Sequence, residues 1–398
     1  MIQVQQAEEI INACWREYGT TLLPLLQATG RVLAEPIAAD RDLPPFHRVA
    51  MDGIAIRFAD YDKGQRYFAV DGVVGAGEAA PEFLPENACF EIMTGAMLPP
   101  AADTIVPYEQ LKIHHGIAEI VQDKLKKGQN IHFQGSDHSK GIVLIPDGKL
   151  IGPAEISVAA SAGKTQLLTK RLPRIAIFSS GNELVEIAKT PLPYQIRRSN
   201  SYAIHAALKR YGLDATMLHL PDNLEIVTQE LQKAKGDYDV LLLSGGISMG
   251  KFDYIPKALE SIGVEQRFYK VQQRPGKPFW FGTFGTNGLV FALPGNPVST
   301  HLCLIRYVLP WLENTLGFPP KPQSRAVLDR DFHFEPALQY FMQVKLSQDE
   351  NAVLHATPIL NKGSGDYASL LEADAFMELP ANQTAFKAGQ IFPIWSSR

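Results

Sequence analysis

The apolar positions Val4, Ala7, Ile10, Ile11, Cys14, Trp15 and Tyr18 recur at helical spacing, so an amphipathic helix is expected to open the chain, with Gly19 as its left-handed stop. From Ala34 to Lys170 the pattern changes to short β-branched runs, IAIRF, YFAV, TIVPY and IAEIV, broken by Gly and Pro. These predict small, mostly β structure. A helix-like stretch from Gly152 ends at Gly163, and the basic segment KRLPR, Lys170–Arg174, marks a boundary. Beyond it strands and helices alternate: RIAIF, a helix over 199–211, DATMLHL, a helix over 224–235, DVLLL, a helix over 254–262, GLVFAL and a helix from Val298. That alternation predicts a parallel sheet covered on both faces, with ligands at the carboxyl ends of its strands. After the linker GFPPKPQ, the runs FMQVKL, AVLHATPIL, AFMEL and IFPIW predict a small antiparallel β domain.

The expected fold class is therefore α/β and β multidomain. An N-terminal helical and mostly-β region spans 1–171, a central parallel α/β domain 172–317, and a C-terminal small β domain 318–398. The length of 398 residues agrees with more than one domain at roughly 150 residues each. Hydrophobic residues at 45% and charged residues at 20% are ordinary globular usage and exclude a disordered or fibrous chain. A net charge of −4 leaves no global positive field for nucleic acid or an anionic membrane, so any anion site is local. Cys14, Cys89 and Cys303 lie far apart with no CxxC pair, which suits a reducing cytoplasm. The N-terminus is polar and no apolar run approaches the roughly 20 residues of a membrane span. A soluble cytoplasmic protein is expected.

Three apolar strands run directly into small-residue loops: RIAIF into SSGNEL, DVLLL into SGGISMG, and FAL into PGNPVS. Bare backbone at Gly181, Gly245, Gly246, Gly250 and Gly295 lets N–H groups approach an anion beside helix N-termini. One such loop is most simply a tight turn. Three at one sheet edge point to a phosphate or another oxyanion. None is the GxxxxGK[ST] or GxGxxG pattern, so neither of those nucleotide-site functions is implied. Lys270, Arg274 and Lys277 in KVQQRPGKP form a cationic loop stiffened by Pro275 and Pro278. Asp222 and Asp253 precede helices, where capping is the simpler role. Asp103 fits an Asx turn. Asp52 in MDG and Asp137 in QGSDHSKG, with Thr94, Gly95 and Glu109 added by IMTGAMLPPAADTIVPYE, are candidate oxygen ligands for Mg²⁺ against a phosphate. Histidines without HExxH spacing and serines without a GxSxG elbow give no structural zinc site and no hydrolase triad.

The motifs PPFHRVAMDGIAIR, IMTGAMLPPAADTIVPYEQ, QGSDHSKG, FSSGNELV, IRRSNSY, LLLSGGISMGKFDY, RPGKP and LPGNPVS, in this order, resemble the molybdopterin molybdenumtransferase family, which includes MoeA and the gephyrin E domain. The resemblance runs from about Ala34 to Leu309 and more weakly onward through GSGDYASL. It implies insertion of molybdate into adenylylated molybdopterin with release of AMP, in a Mg²⁺-dependent step. It also implies a central domain like the molybdopterin adenylyltransferase fold and a homodimer with a composite site. By resemblance Asp52, Thr94, Asp137, Glu183, Asp222 and Asp253 are the catalytic positions. Of these, Glu183, Asp222 and Asp253 would hold Mg²⁺. Gly181, Ser199, Asn200, Gly245, Gly246, Ser248, Gly250, Pro294, Gly295, Asn296 and Pro297 would cradle pterin and phosphate, and Lys270, Arg274 and Lys277 would grip molybdate or phosphate.

Four departures stand out. Arg274 replaces a common Lys, making the cation a planar fork. Asn182 replaces a frequent Asp. His47 and Arg48 stand where PPFDN is usual. The stretch ALQYFMQV lacks the arginines of the family's GRxxFxR segment, so a C-terminal contribution to the site does not follow from the motif. Two alternative functions remain, adenylyl transfer from ATP to molybdopterin and a non-catalytic gephyrin-like scaffold. The extra β region argues against the first, and no partner-peptide motif supports the second. An interaction with the molybdopterin adenylyltransferase is a further possible partnership.

Overall fold

The computed structural model describes residues 1–248, 253–359 and 363–397. The chain forms two compact units, one from residues 1–34, 148–152 and 166–398, the other from 35–147 and 153–165.

A six-stranded sheet organises the first unit, in the order Thr216–Leu220, Ile175–Ser180, Val240–Ser244, Gly288–Leu293, Trp280–Phe284 and Glu265–Tyr269. The first four strands are parallel and the last two antiparallel. The expected parallel sheet is present in those four strands and carries in addition an antiparallel edge. The cause is local: only residues 285–287 separate Phe284 from Gly288, too few for the crossover that parallel neighbours need. Side chains alternate across the sheet, so Ile177, Leu242 and Phe291 enter one core while Phe178, Leu243 and Ala292 enter another. With both faces covered, the central strands are unbroken apolar runs.

The opening helix, Val4–Asn12, buries Val4, Ala7 and Ile11 in the first of these cores. It ends earlier than its periodicity suggests. The Trp311 indole N–H donates to the Cys14 carbonyl at 3.1 Å, which holds residues 13–15 in a tertiary turn. Gly19 does take a positive φ of 86°, but it leads into the strand Thr20–Pro24 and does not close the helix.

The C-terminal strands Gln339–Gln348, Leu354–Pro358, Arg325–Leu328, Ile391–Ser396 and Ala375–Leu379 follow one another in the sheet, and the last pairs back with the first. Closure removes the exposed edges that a small sheet would otherwise carry. The expected antiparallel domain is corrected to a mixed one, since Arg325–Leu328 runs parallel to Leu354–Pro358. Met342, Val344, Met377 and Leu379 fill its own core, whereas Phe341 and Phe376 join the α/β core. A single π-type turn, Leu304–Val308, interrupts the helix that follows Pro297. It carries Arg306, 3% exposed, to Glu8 at 2.8 Å and Glu378 at 3.4 Å, with the guanidinium 4.0 Å from the Trp395 ring centroid. One cation therefore ties the first helix and the C-terminal strands to the α/β region.

The second unit is mostly β, as expected. Its six strands run in the order Thr104–Pro107, Gly53–Ile56, Ala88–Ile92, Tyr67–Val74, Ile117–Ile120 and Leu111–His114, with an apolar cluster centred on Ala55, Phe90 and Ile105 and another on Ile54, Phe68 and Val106. The helix Pro153–Ser161 ends at Gly163, φ +73°. Among the described residues no helix is long and apolar enough to cross a membrane.

Candidate active site

Strand register pairs Ser179 with Ser244 and Ser244 with Leu293, so the three small-residue loops leave from one edge of the sheet. They line a cavity of about 1100 Å³, enough for a nucleotide-sized ligand. Side chains brace the loops against each other. Asn200 Nδ2 donates to Ser244 Oγ at 2.9 Å and to the Gly295 carbonyl at 2.8 Å, and Thr300 Oγ1 donates to the Pro294 carbonyl at 2.6 Å. The glycines differ in what requires them. Gly245 has φ +94°, and a Cβ there would lie 2.8 Å from the Ser180 carbonyl oxygen, so the fold itself demands glycine. Gly295 has ordinary backbone, and its Cβ would meet nothing nearer than the Gly245 Cα at 3.6 Å. Its bareness matters only to what enters the cavity.

The cationic loop is held from below. Gln273 is fully buried. Its Nε2 donates to the carbonyls of Pro275 at 3.2 Å and Gly276 at 3.3 Å, and its Oε1 accepts from the Tyr307 hydroxyl. A Cβ on Gly276 would lie 2.7 Å from Gln273 Nε2 and 2.9 Å from Cys303 Sγ. This buried bracket presents Arg274 and Lys277 at the cavity wall. Neither makes an ion pair among the described residues, so both stand in the wall without a counter-ion there. Burial pushes the Cys303 thiol up and Cys89 to about 12, which leaves both protonated and without a nucleophile's charge.

Glu183 and Asp253 are the acidic lining residues, and Ser248 Oγ donates to Asp253 Oδ2 at 3.0 Å. Ser199, Asn200, Gly245, Gly246, Ser248, Pro294, Gly295, Asn296 and Pro297 line the same cavity. Asp222 does not. It closes the first loop by accepting from Asn182 N at 3.1 Å, while its own N–H donates to Asn182 Oδ1 at 3.0 Å. Capping is also corrected for both aspartates. Asn223 caps the helix Leu224–Asp237 through Ile226 N at 3.1 Å, and Tyr254 begins Ile255–Ser261 without a side-chain cap. Gly181 and Lys270 lie outside the lining; the Lys270 ammonium sits 5.3 Å from the Tyr269 ring centroid. Gly250 falls outside the described residues. Among the described residues no group of three or more His, Cys, Asp or Glu is arranged to hold a metal ion.

In the second unit, Thr94 donates its backbone N–H at 2.6 Å and its hydroxyl at 2.7 Å to Asp52 Oδ1. The N–H first and the hydroxyl second hold the Asp52 carboxyl below the usual range. Asp137 Oδ1 lies 2.7 Å from His132 Nε2, whose Nδ1 lies 3.0 Å from Arg48 Nη2. Guanidinium has no acceptor, so Nδ1 accepts and Nε2 carries the proton toward Asp137. Asp103 is not a local turn: its Oδ1 accepts from Phe58 N at 2.6 Å, capping a helix 45 positions away in sequence.

Several lining residues were not anticipated. Arg197 and Arg198 border the cavity, the first donating to the Ile187 and Lys189 carbonyls at 3.0 and 3.2 Å, the second paired with Glu186 at 2.6 Å. Their place beside Ser199 and Asn200 in IRRSNSY was the available signal. Leu338, Ser364, Gly365 and Tyr367 contribute from the C-terminal region, with Asn296 Nδ2 donating to Ser364 Oγ at 2.8 Å and Val298 N to the Ser364 carbonyl at 3.1 Å. The C-terminal region thus does reach the cavity, through Leu338 and the turns of the small-residue stretch GSGDYASL and not through arginines.

Family models for the MoeA N-terminal region (domain I and II), a probable molybdopterin binding domain and the MoeA C-terminal region (domain IV) match residues 2–163, 176–314 and 325–396. The chain is 40% identical over 400 residues to the molybdopterin molybdenumtransferase of Synechocystis sp., covering 100% of both chains. The chain belongs to the MoeA family. A molybdopterin molybdenumtransferase from Bacillus subtilis is 30% identical, over 98% of this chain and 92% of its own. A molybdopterin biosynthesis MoeA protein from Pyrococcus horikoshii superposes with a TM-score of 0.86 at 28% identity, over 100% of this chain and 99% of that one. Within the MoeA fold two of the departures meet at the cavity: Arg274 faces it, and Leu338 lines it from the stretch that lacks arginines. Asn182, a third, is spent on the Asp222 backbone.

Proposed function

We propose that this chain is a molybdopterin molybdenumtransferase, which inserts molybdate into adenylylated molybdopterin and releases AMP, completing the molybdenum cofactor. The observation that carries this reading is the cavity wall itself. Backbone loops at a sheet edge, the cations Arg274 and Lys277 without counter-ions among the described residues and two carboxylates suit a ligand with several anionic oxygens. Gly245, Gly246 and Gly295 would lie against the phosphates. Arg274 and Lys277 would hold molybdate or phosphate and stabilise the negative charge that develops as the anhydride P–O bond breaks. Glu183 and Asp253 fit Mg²⁺ chemically, since that ion is commonly held by one or two carboxylates together with substrate phosphate oxygens. When bound it supplies charge neutralisation on the phosphoanhydride.

The reading extends to a homodimer in which a partner subunit supplies Asp52, Thr94 and Asp137, and to a cytoplasmic location, which the three free cysteines suit. Purified protein given adenylylated molybdopterin, Mg²⁺ and molybdate is expected to release AMP and yield a cofactor that activates an apo molybdoenzyme. Failure to release AMP overturns the proposal. ATP consumption with molybdopterin in the absence of molybdate would instead identify adenylyl transfer.

A further inference from the structure

Arg274 leaves the α/β region on the short strand Gln273–Arg274, which runs parallel to the start of Gln339–Gln348 and sets Arg274 opposite Tyr340. Its guanidinium carbon lies 5.8 Å from the centroid of the Phe334 ring. Phe334 is stacked on Tyr340 at 4.2 Å and 14° between planes, and Phe332 lies parallel to Tyr340 at 5.5 Å and 1°. Three rings from the C-terminal region thus form a stack that ends beneath the guanidinium. The Phe334 backbone N–H is anchored to the Thr384 carbonyl at 2.9 Å. A planar guanidinium gains from an aromatic face in a way that a compact ammonium does not. The Arg274 side chain is exposed and makes no ion pair among the described residues, so the ring and the strand pairing are what restrict it.

We infer that Phe334 is a positioning residue for oxyanion binding: its ring face orients the Arg274 guanidinium so that two N–H groups meet a tetrahedral anion together. The inference rests on the proposed function for its biological ligand, while its test uses inorganic molybdate directly. The C-terminal strands then act on the site through the orientation of a cation they do not themselves supply. This gives an arginine at 274 a use for the aromatic stack that a lysine would lack.

The test is calorimetric titration of the full chain with molybdate, alongside AMP-release kinetics. Phe334→Leu, which keeps apolar bulk but loses the ring, is expected to weaken molybdate binding about two- to fivefold, the range of one exposed cation–π contact. The KM for molybdate is expected to rise by a similar factor, with the KM for adenylylated molybdopterin unchanged. Phe334→Tyr is expected to restore wild-type affinity. In an Arg274→Lys background, Phe334→Leu is expected to add no further loss, because the coupled partner is already gone. An equal loss in both backgrounds, no loss in either, or parallel changes for both substrates would each overturn the inference. A wild-type protein that binds molybdate yet releases no AMP sinks the proposed function and leaves the positioning role to be decided by the titrations alone.

Discussion

In the α/β region Arg274 and Lys277 face the cavity with no carboxylate partner among the described residues, whereas in the second unit Asp52 and Asp137 are each engaged by a neighbour, Thr94 and His132. The difference is one of where electrostatic free energy is held. Unpaired cations on a braced backbone keep their interaction for an incoming anion and need little reorganisation when it arrives. Carboxylates already satisfied by donors are fixed in orientation, but any ligand must share them. One region is therefore built to gain from binding, the other to present groups at set angles.

The sharpest way to break this comparison is to remove a cavity cation. Lys277→Ala is expected to lower AMP release on the order of 10²- to 10³-fold, as for loss of a preorganised donor to a developing oxyanion. Glu183→Gln is expected to cost about 10²-fold, with part of the loss recovered at high Mg²⁺. Rates that stay near wild type for both would mean the cavity is not where charge develops. The next effect is on the bracket beneath the cations. Tyr307→Phe leaves the buried Gln273 Oε1 without its donor and is expected to destabilise the fold by about 1–3 kcal/mol in denaturant unfolding.

A smaller effect separates ligand space from fold. Gly295→Ala is expected to leave the melting temperature unchanged while weakening AMP binding roughly tenfold, a typical cost of overpacking a close contact. A drop in melting temperature without a binding change would reverse that assignment. The smallest effect concerns Asp52. Thr94→Val removes the hydroxyl and keeps the backbone N–H, so the Asp52 pKa, followed by carboxyl-carbon NMR, is expected to rise part of the way toward 3.8. Because the folded pKa is the depressed one, the associated stability is present above 3.8 and is lost as pH falls through the lowered value. The two proteins are thus expected to converge in stability only in acid.

What was legible in the sequence follows from period and punctuation. The three central parallel strands, Ile175–Ser180, Val240–Ser244 and Gly288–Leu293, are buried along their whole length and run directly into Ser, Gly or Pro, and that change of character marks the sheet edge where the cavity lies. Trp280–Phe284 and Glu265–Tyr269 were missed because the first contains Gly282 and the second, an edge strand, opens with the three consecutive polar residues Glu265, Gln266 and Arg267 and shows no alternation. Asp222 and Asp253 carried the same local signal as a cap, and only tertiary contacts separate a loop tie from a cavity acid. Ser364 and Leu338 were hidden for a different reason. Leu338 arrives beside the pairing of Gln339 with Gln273 and Ser364 through hydrogen bonds to Asn296 and Val298, contacts far apart in sequence that no local pattern encodes.

Gly276 has no chemistry to offer, yet it is the least replaceable residue of its loop. Anyone retuning the site toward another tetrahedral oxyanion has room to exchange the cations at 274 and 277, since both point outward. The residue between them is wedged against an amide and a thiol with no slack. A selection from a library randomised at all three positions should return basic side chains of either kind on the two sides and glycine alone in the middle.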